Sequence, residues 1–106
     1  FVAYGTAKAA LSFMTRELAQ DFAPKVRVNA IAVGSVQTEA LDSVLDDEIR
    51  AEMIRLTPLA RLGTTQDIAA CALYLASPAA SFVTGEIYGV NGGLVGLNMR
   101  MPRAAL

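Results

Sequence analysis

The 106-residue chain has no histidine and a single cysteine, Cys71. A Ser-His-Asp triad is therefore excluded within it, and a zinc or haem site would find few ligands. One cysteine cannot form an internal disulfide, which fits a reducing, cytoplasmic setting. No apolar run reaches the roughly 18 residues that suggest a transmembrane helix. We therefore expect neither a metal site nor a membrane span.

Charge is scarce and balanced. Nine Lys and Arg residues face ten Asp and Glu residues, giving a formal net charge of −1, and the basic residues form no cluster. This argues against a surface for nucleic acid or for an anionic membrane. With 54% hydrophobic residues, the chain is too apolar for a disordered segment. It opens without Met and inside a helical pattern, so we expect it to be the C-terminal portion of a larger domain.

The first part of the chain predicts a helix followed by a strand. Residues 4–22 carry a helical apolar stripe that ends before Pro24. Residues 26–32 (VRVNAIA) are typical of a short, buried parallel strand, which Gly34 would close. A helix, a short link and a strand make up half of a βαβ unit, so the pattern indicates an α/β fold.

The second part predicts a long excursion from Ser35 to Gly63 and a return to the sheet. Asp46 is expected to cap one helix, and Thr64 with Asp67 to form the capping box of another. These two helices and a second strand are expected over residues 47–56, 65–76 and 86–90. The tail from 94 to 106 shows little periodicity, and we expect it to lie on a neighbouring subunit or to be disordered.

Tyr4 and Lys8 stand four residues apart in the first helix, within the string YGTAKAAL. Positions i and i+4 share a helix face, with Cβ atoms about 5–6 Å apart. An ordinary phenol has a pKa of about 10, but a nearby cation stabilises the phenolate. The pair could therefore give a proton to the alkoxide that forms in carbonyl reduction. A core Tyr beside a solvated Lys is the alternative for the pair alone.

Three blocks of the sequence resemble the C-terminal half of a short-chain dehydrogenase/reductase. They are YGTAKAAL, VRVNAIAVGSVQTEAL and TPLARLGTTQDIAACALYLASPAASFVTGEIYGVNGG. The resemblance covers nearly all of the chain and extends to bacterial hydroxysteroid-dehydrogenase-like members. It implies a Rossmann-type doubly wound parallel sheet, of which residues 1–106 would be the C-terminal part. It also implies NAD or NADP as cofactor, an alcohol or ketone as substrate, and a homotetramer.

The same resemblance assigns the catalytic residues. Tyr4 would be the catalytic acid/base, while Lys8 would assist it and hydrogen-bond the nicotinamide ribose. The family's catalytic Ser, its Gly-rich loop and a helix Asn of the proton relay would lie upstream of this chain. A catalytic Ser about a dozen residues before Tyr4, together with that loop, would favour an enzyme. Without them, the chain would belong to a non-catalytic nucleotide-binding or scaffold member. A stand-alone α/β binding module is the third possibility.

The segment from Val33 to Thr38 matches the family's Pro-Gly-x-x-x-Thr, with Val33 in place of Pro. Doubly wound sheets bind ligands at the carboxyl ends of their strands. Gly34 is therefore expected to let the backbone approach the nicotinamide. The resemblance implies that the Val36 backbone hydrogen-bonds the carboxamide and that the Thr38 hydroxyl reaches the carboxamide or a phosphate. Alone, Gly34 and Thr38 would fit an ordinary turn.

The excursion over residues 35–63 corresponds to the family's substrate lid. Its apolar residues together indicate a lipophilic alcohol or ketone, although plain core packing is the alternative for any one of them. They are Val36, Leu41, Val44, Leu45, Ile49 and Met53. Elsewhere, Asn29 is expected to make a structural hydrogen bond, Arg27 to lie at a strand edge or to extend its charge to solvent, and Cys71 to be buried and inert.

Overall fold

The computed structural model of the protein describes residues 2–94. Six helices and strands and one 3₁₀ turn follow in order: α1 (Val2–Phe22), β1 (Ala30–Val33), α2 (Glu39–Val44), α3 (Asp47–Leu56), α4 (Thr65–Ala76), the 3₁₀ turn Pro78–Ala80 and β2 (Ile87–Val90). Within the described range, no helix combines the length and apolar character that crossing a membrane requires. The predicted α/β architecture is present, and the order of elements agrees with the sequence pattern.

β1 and β2 are parallel neighbours, with Val33 opposite Val90 at their carboxyl ends. The N–H of Gly34 donates to the carbonyl of Val90 at 2.9 Å and extends the ladder by one bond. Helices α2, α3 and α4 form the long crossover that a parallel pair requires. Because the strands run the same way, Gly34 and Asn91 leave the sheet at the same edge.

The first strand begins later than the sequence pattern predicts. The expected parallel strand is present, but its predicted bounds of 26–32 are wrong, since β1 covers Ala30–Val33. The residues before it are held by other groups. The Val28 N–H donates to the Thr84 hydroxyl at 3.0 Å, and the Val28 carbonyl accepts from Gly85 N–H at 2.7 Å. The Thr84 hydroxyl takes the place of a backbone partner here. The apolar pattern of residues 26–32 gives no sign of this replacement.

Arg27 and Asn29 fasten β1 to the segment that leads into β2. The Asn29 amide donates to the Val83 carbonyl and accepts from the Glu86 N–H, both at 3.0 Å. The expected structural hydrogen bond of Asn29 is therefore confirmed. The expectation for Arg27 is wrong, because its guanidinium donates to the carbonyls of Leu75 at 2.7 Å and Val83 at 3.2 Å. It joins the end of α4 to the loop before β2.

Helices α3 and α4 begin at the predicted caps. The Asp46 carboxylate accepts from the Ile49 N–H at 2.7 Å. The Thr64 hydroxyl accepts from the Asp67 N–H at 3.2 Å, and the Asp67 carboxylate accepts from the Thr64 N–H at 2.7 Å. Both helices have the predicted bounds. Capping depends on residues three positions apart, so it is visible in sequence.

Helix α2 was not expected, although its signals were present. The Thr38 hydroxyl accepts from the Leu41 N–H at 3.1 Å, and Glu39 and Asp42 lie in the first turn. These are the cap and the acidic first turn that favour a helix start. The helix has only six residues, which is too few to produce a clear apolar period.

The core of the described part is small. The buried apolar residues there are Ala19, Met53, Leu62 and Ala80. Most of the large apolar residues of α1 are exposed, among them Leu11, Phe13, Met14 and Phe22. Cys71 is half-buried, so the expectation that its thiol is buried is wrong for this part of the chain.

Candidate active site

Tyr4 and Lys8 lie one turn apart on α1, as their spacing predicts. The Lys8 ammonium nitrogen is 5.5 Å from the centre of the Tyr4 ring, which is within cation–π range. Tyr4 is 65% exposed, and no side chain lies within 4 Å of where a β-carbon on neighbouring Gly5 would stand. The phenol is therefore open to a reactant and has a cation beside it. The predicted role of this pair in proton transfer stays a prediction.

Val36 is held just beyond β1 by a parallel bridge to Gly63. The Gly63 N–H donates to the Ser35 carbonyl at 2.9 Å, and the Gln37 N–H donates to the Gly63 carbonyl at 2.8 Å. These bonds use the residues on either side of Val36, so its own N–H and carbonyl point away from Gly63. A rigid backbone with one donor and one acceptor turned outwards can hydrogen-bond a planar amide.

Gly34 has a packing role that the sequence did not reveal. A β-carbon placed on it would lie 2.6 Å from Asn91 Cα and 2.8 Å from Asn91 Cβ. Real β-carbons do not approach backbone atoms so closely, so the two strand ends can meet there only if residue 34 is glycine. Its predicted approach to the nicotinamide stays a prediction beside this structural requirement.

The Thr38 hydroxyl is already engaged within the chain. Its oxygen accepts from the Leu41 N–H and caps α2. A hydroxyl can accept and donate at the same time, so its proton stays available to a ligand. The predicted contact of Thr38 with the cofactor is compatible with this geometry and stays a prediction.

A cavity of about 380 Å³ opens where both strands end. Its walls are formed by the segment after β1, the start of α4 and the loop after β2; the lining residues are Ser35, Val36, Leu59, Arg61, Gly63, Asp67, Ile68 and residues 89–93. Of the five predicted site residues, Val36 belongs to this lining, while Tyr4 and Lys8 lie on α1 and Gly34 and Thr38 flank Val36 along the chain. The cavity stands at the edge of the sheet where doubly wound folds bind ligands.

Arg61 is a charged residue of this cavity that the sequence analysis missed. Its guanidinium donates to both carboxylate oxygens of Asp67, at 2.8 and 3.2 Å, and to the Leu62 carbonyl at 3.0 Å. Arg61, with the Thr64 backbone N–H, holds the pKa of Asp67 well below its usual range. The two charges offset each other, so this wall of the cavity is polar without a large net charge. A basic residue three positions before a capping box was the available signal.

The loop after β2 closes the cavity from the other side. Gly92 and Gly93 have left-handed backbone conformations, with φ of 64° and 92°. The Asn91 side chain accepts from the Gly93 N–H at 2.9 Å, and the Gly92 carbonyl accepts from the Leu59 N–H at 3.0 Å. Among residues 2–94, no three His, Cys, Asp or Glu side chains are grouped as metal ligands would be.

Comparisons with known proteins show the family to which this chain belongs. A family model described as enoyl-(acyl carrier protein) reductase matches residues 1–95. An uncharacterised oxidoreductase of Mycobacterium tuberculosis is 58% identical over 103 residues, which cover 96% of this chain and 39% of that protein. The 7α-hydroxysteroid dehydrogenase of Escherichia coli is 50% identical over 91 residues, which cover 85% of this chain and 36% of the enzyme. The chain thus spans less than half the length of these relatives.

A solved structure leads to the same family. A 7α-hydroxysteroid dehydrogenase in complex with NADH and 7-oxo glycochenodeoxycholic acid is 49% identical, with a TM-score of 0.80 over 87% of this chain and 36% of the other. At this identity and TM-score, the chain shares the Rossmann-type fold of that enzyme. The family model matches residues 1–95, and both relatives are at least 50% identical over more than two thirds of this chain. The chain belongs to the short-chain dehydrogenase/reductase family.

Proposed function

We propose that this chain carries the proton-transfer half of an NAD(P)-dependent oxidoreductase that interconverts an alcohol and a ketone. The single observation that carries the proposal is the Tyr4–Lys8 pair, with the phenol 65% exposed and the ammonium 5.5 Å from its ring. Membership of the family supports the reaction class.

We further propose that residues 1–106 are the C-terminal part of one NAD(P)-binding Rossmann-type domain, with the substrate lid over 35–63. The described part has a two-stranded sheet and four buried apolar residues, while related enzymes are more than twice as long. Further strands would cover the open edge of β1 and the exposed side of α1. The catalytic Ser and the Gly-rich loop would come from that upstream part.

The residues present fit a nicotinamide. The Val36 N–H and carbonyl are turned away from Gly63 and match the donor and acceptor of a carboxamide. When bound, the nicotinamide supplies or accepts the hydride. The fit applies to NAD and NADP alike, because their nicotinamide ends are identical and they differ only by a phosphate on the adenosine ribose.

In reduction, Tyr4 donates its phenolic proton to the carbonyl oxygen of the substrate as negative charge develops there. In oxidation, the same oxygen takes the proton back from the alcohol. Lys8 would place its positive charge beside the Tyr4 ring and would also hold the nicotinamide ribose. Thr38 would donate its free hydroxyl proton to the cofactor while its oxygen caps α2.

The substrate we propose is lipophilic. Val44 of the lid is 75% exposed, and Ile49 is also exposed, so both are available to cover an apolar molecule. Met53 is buried and belongs to the core, so it is not available to contact the substrate. Hydroxysteroids are the first substrates to test, since a related enzyme binds a bile acid.

We propose a homotetramer in the cytoplasm. Exposed apolar side chains on α1, α4 and the turn before β2 support self-association; they include Phe13, Phe22, Leu73 and Phe82. Light scattering on the full-length protein tests the assembly, and a monomer at micromolar concentration would contradict it. The expected role of the tail falls on residues 95–106, outside the described range.

The proposed activity is tested with the full-length protein, NADH or NADPH, and a panel of ketones that includes steroids. Consumption of the reduced cofactor with a lipophilic ketone is the expected result. Cofactor binding without turnover of any ketone in the panel would instead indicate a non-catalytic member of the fold.

A further inference from the structure

We propose that Asp42 and Arg50 form a latch that holds helix α2 against helix α3 and thereby positions the substrate lid. The inference rests on the proposed function, because it gives these residues a role in the same reaction. Neither residue would touch the reacting atoms, so both are positioning residues. The pair joins a segment that leaves the sheet at Gly34 to a helix that packs on the core through Met53.

Helix α2 needs support from outside itself. It has six residues, none of them buried, and so short a helix is not stable alone in water. Its cap is Thr38, the residue that would also contact the cofactor. The position of α2 is therefore set by the few side chains that tie it to its surroundings.

The Asp42 carboxylate is the point where three parts of the site meet. One oxygen accepts from Arg50 of α3 at 2.5 Å, and the other accepts from the Gln37 amide at 3.4 Å. Gln37 itself is fixed by the hydrogen bond from its backbone to Gly63. The hydrogen bond from Arg50, and then that from Gln37, holds the pKa of Asp42 below its usual range. One carboxylate thus connects the strand-end segment, α2 and α3.

The strength of this pair suits a reversible latch. The side chains of Arg50 and Asp42 are 26% and 40% exposed, so water still competes for the charges. A pair of this kind shifts an equilibrium about 1.5- to 5-fold. That is enough to favour a closed lid and too little to prevent it from opening for product release.

The same helix provides a matched control. Glu52 and Arg55 form an ion pair of similar length, 2.6 Å, with side chains 51% and 68% exposed. They lie three residues apart within α3 and connect it to no other element. Arg55→Gln removes a surface ion pair from the same helix while the lid stays attached.

The test uses the full-length protein with Arg50→Gln, Asp42→Asn, the charge-reversed pair Asp42→Arg with Arg50→Asp, and Arg55→Gln. Thermolysin cuts beside Leu and Val, so cleavage within residues 41–45 reports the detachment of α2. Each single change at the latch should raise this cleavage about 1.5- to 5-fold. The reversed pair should return it towards the wild-type rate, and Arg55→Gln should leave it unchanged.

Kinetics supply a second measurement. Loosening the lid should raise KM for a lipophilic ketone about 1.5- to 5-fold, with kcat equal or higher and cofactor affinity unchanged. In about 1 M salt, wild type and Arg50→Gln should converge, since salt screens exposed charges. If the reversed pair does not fold, the convergence of wild type and Arg50→Gln at high salt serves as the test of the latch in its place.

Equal cleavage and equal KM in wild type, Asp42→Asn and Arg50→Gln would overturn the latch, as would an effect of Arg55→Gln of the same size. Cleavage does not depend on turnover. A protein that shows the latch by cleavage but reduces no ketone would therefore refute the proposed function and leave the latch intact.

Discussion

Tyr4→Phe is the substitution that tests the proposed chemistry most directly. Phe retains the ring, so the contact with the Lys8 ammonium at 5.5 Å is preserved and only the hydroxyl is lost. Tyr4 is mostly exposed, and its hydroxyl has no hydrogen-bond partner among residues 2–94, so little packing changes. We therefore expect the melting temperature and the affinity for the cofactor to stay near the wild-type values.

The expected effect is on kcat. General acid–base catalysis contributes about 10²- to 10⁴-fold to a rate, which corresponds to about 3–5 kcal/mol of transition-state stabilisation. Steady-state oxidation of the reduced cofactor by a ketone measures it, with cofactor binding measured by fluorescence on the same samples. Tyr74→Phe is a control for the loss of a tyrosine hydroxyl, because Tyr74 packs edge-to-face on Tyr88 at 6.0 Å between ring centres and does not line the cavity at the strand ends. A Tyr4→Phe variant that keeps more than about half of the wild-type kcat would remove Tyr4 from the mechanism.

The remaining predictions concern four single substitutions. Lys8→Met should lower both kcat and cofactor affinity and shift the pH profile of kcat; an unchanged profile with unchanged affinity would indicate a merely solvated lysine. Gly34→Ala should lower the stability by about 1–3 kcal/mol, measured by denaturant unfolding, because its β-carbon would meet Asn91; Gly5→Ala, with open space around it, should stabilise α1 by about 0.5–1 kcal/mol. The pKa of Asp67 is lowered on folding, so its stabilisation is complete above about pH 4 and is lost on further acidification. The difference in melting temperature between wild type and Asp67→Asn should shrink below that pH, and a constant difference would contradict the role of its charge.

Local features of the fold could be predicted from the sequence. Asp46 and Thr64 cap helices through backbone groups three residues away, and the bounds of α3 and α4 follow from them. The Tyr4–Lys8 contact is equally local, since one helical turn brings the two side chains together. Contacts between residues three or four positions apart depend only on the local sequence, so they can be predicted without knowledge of the fold.

Features that depend on distant residues could not be predicted. β1 begins at Ala30 because the Thr84 hydroxyl, 56 residues away, takes the N–H that the ladder would otherwise use. Gly34 is required by Asn91, which the sheet brings beside it. Neither partner leaves a mark on the periodicity of the strand. The glycine could be assigned to the cofactor from its motif, but the packing reason appears only once the strands are paired.

The segment from Gly34 to Arg50 unites these observations. It is fixed from behind by close contact with Asn91 and by the bridge between Val36 and Gly63, and its far end is held by Arg50. A β-carbon on Gly63 would come within 3.3 Å of Val36, so the side that anchors the segment has almost no free space. The side that carries Val44 is open. Changes at Gly34 or Gly63 should therefore disturb the cofactor and the substrate together, whereas changes at the Asp42–Arg50 latch or at the open side should alter the substrate alone.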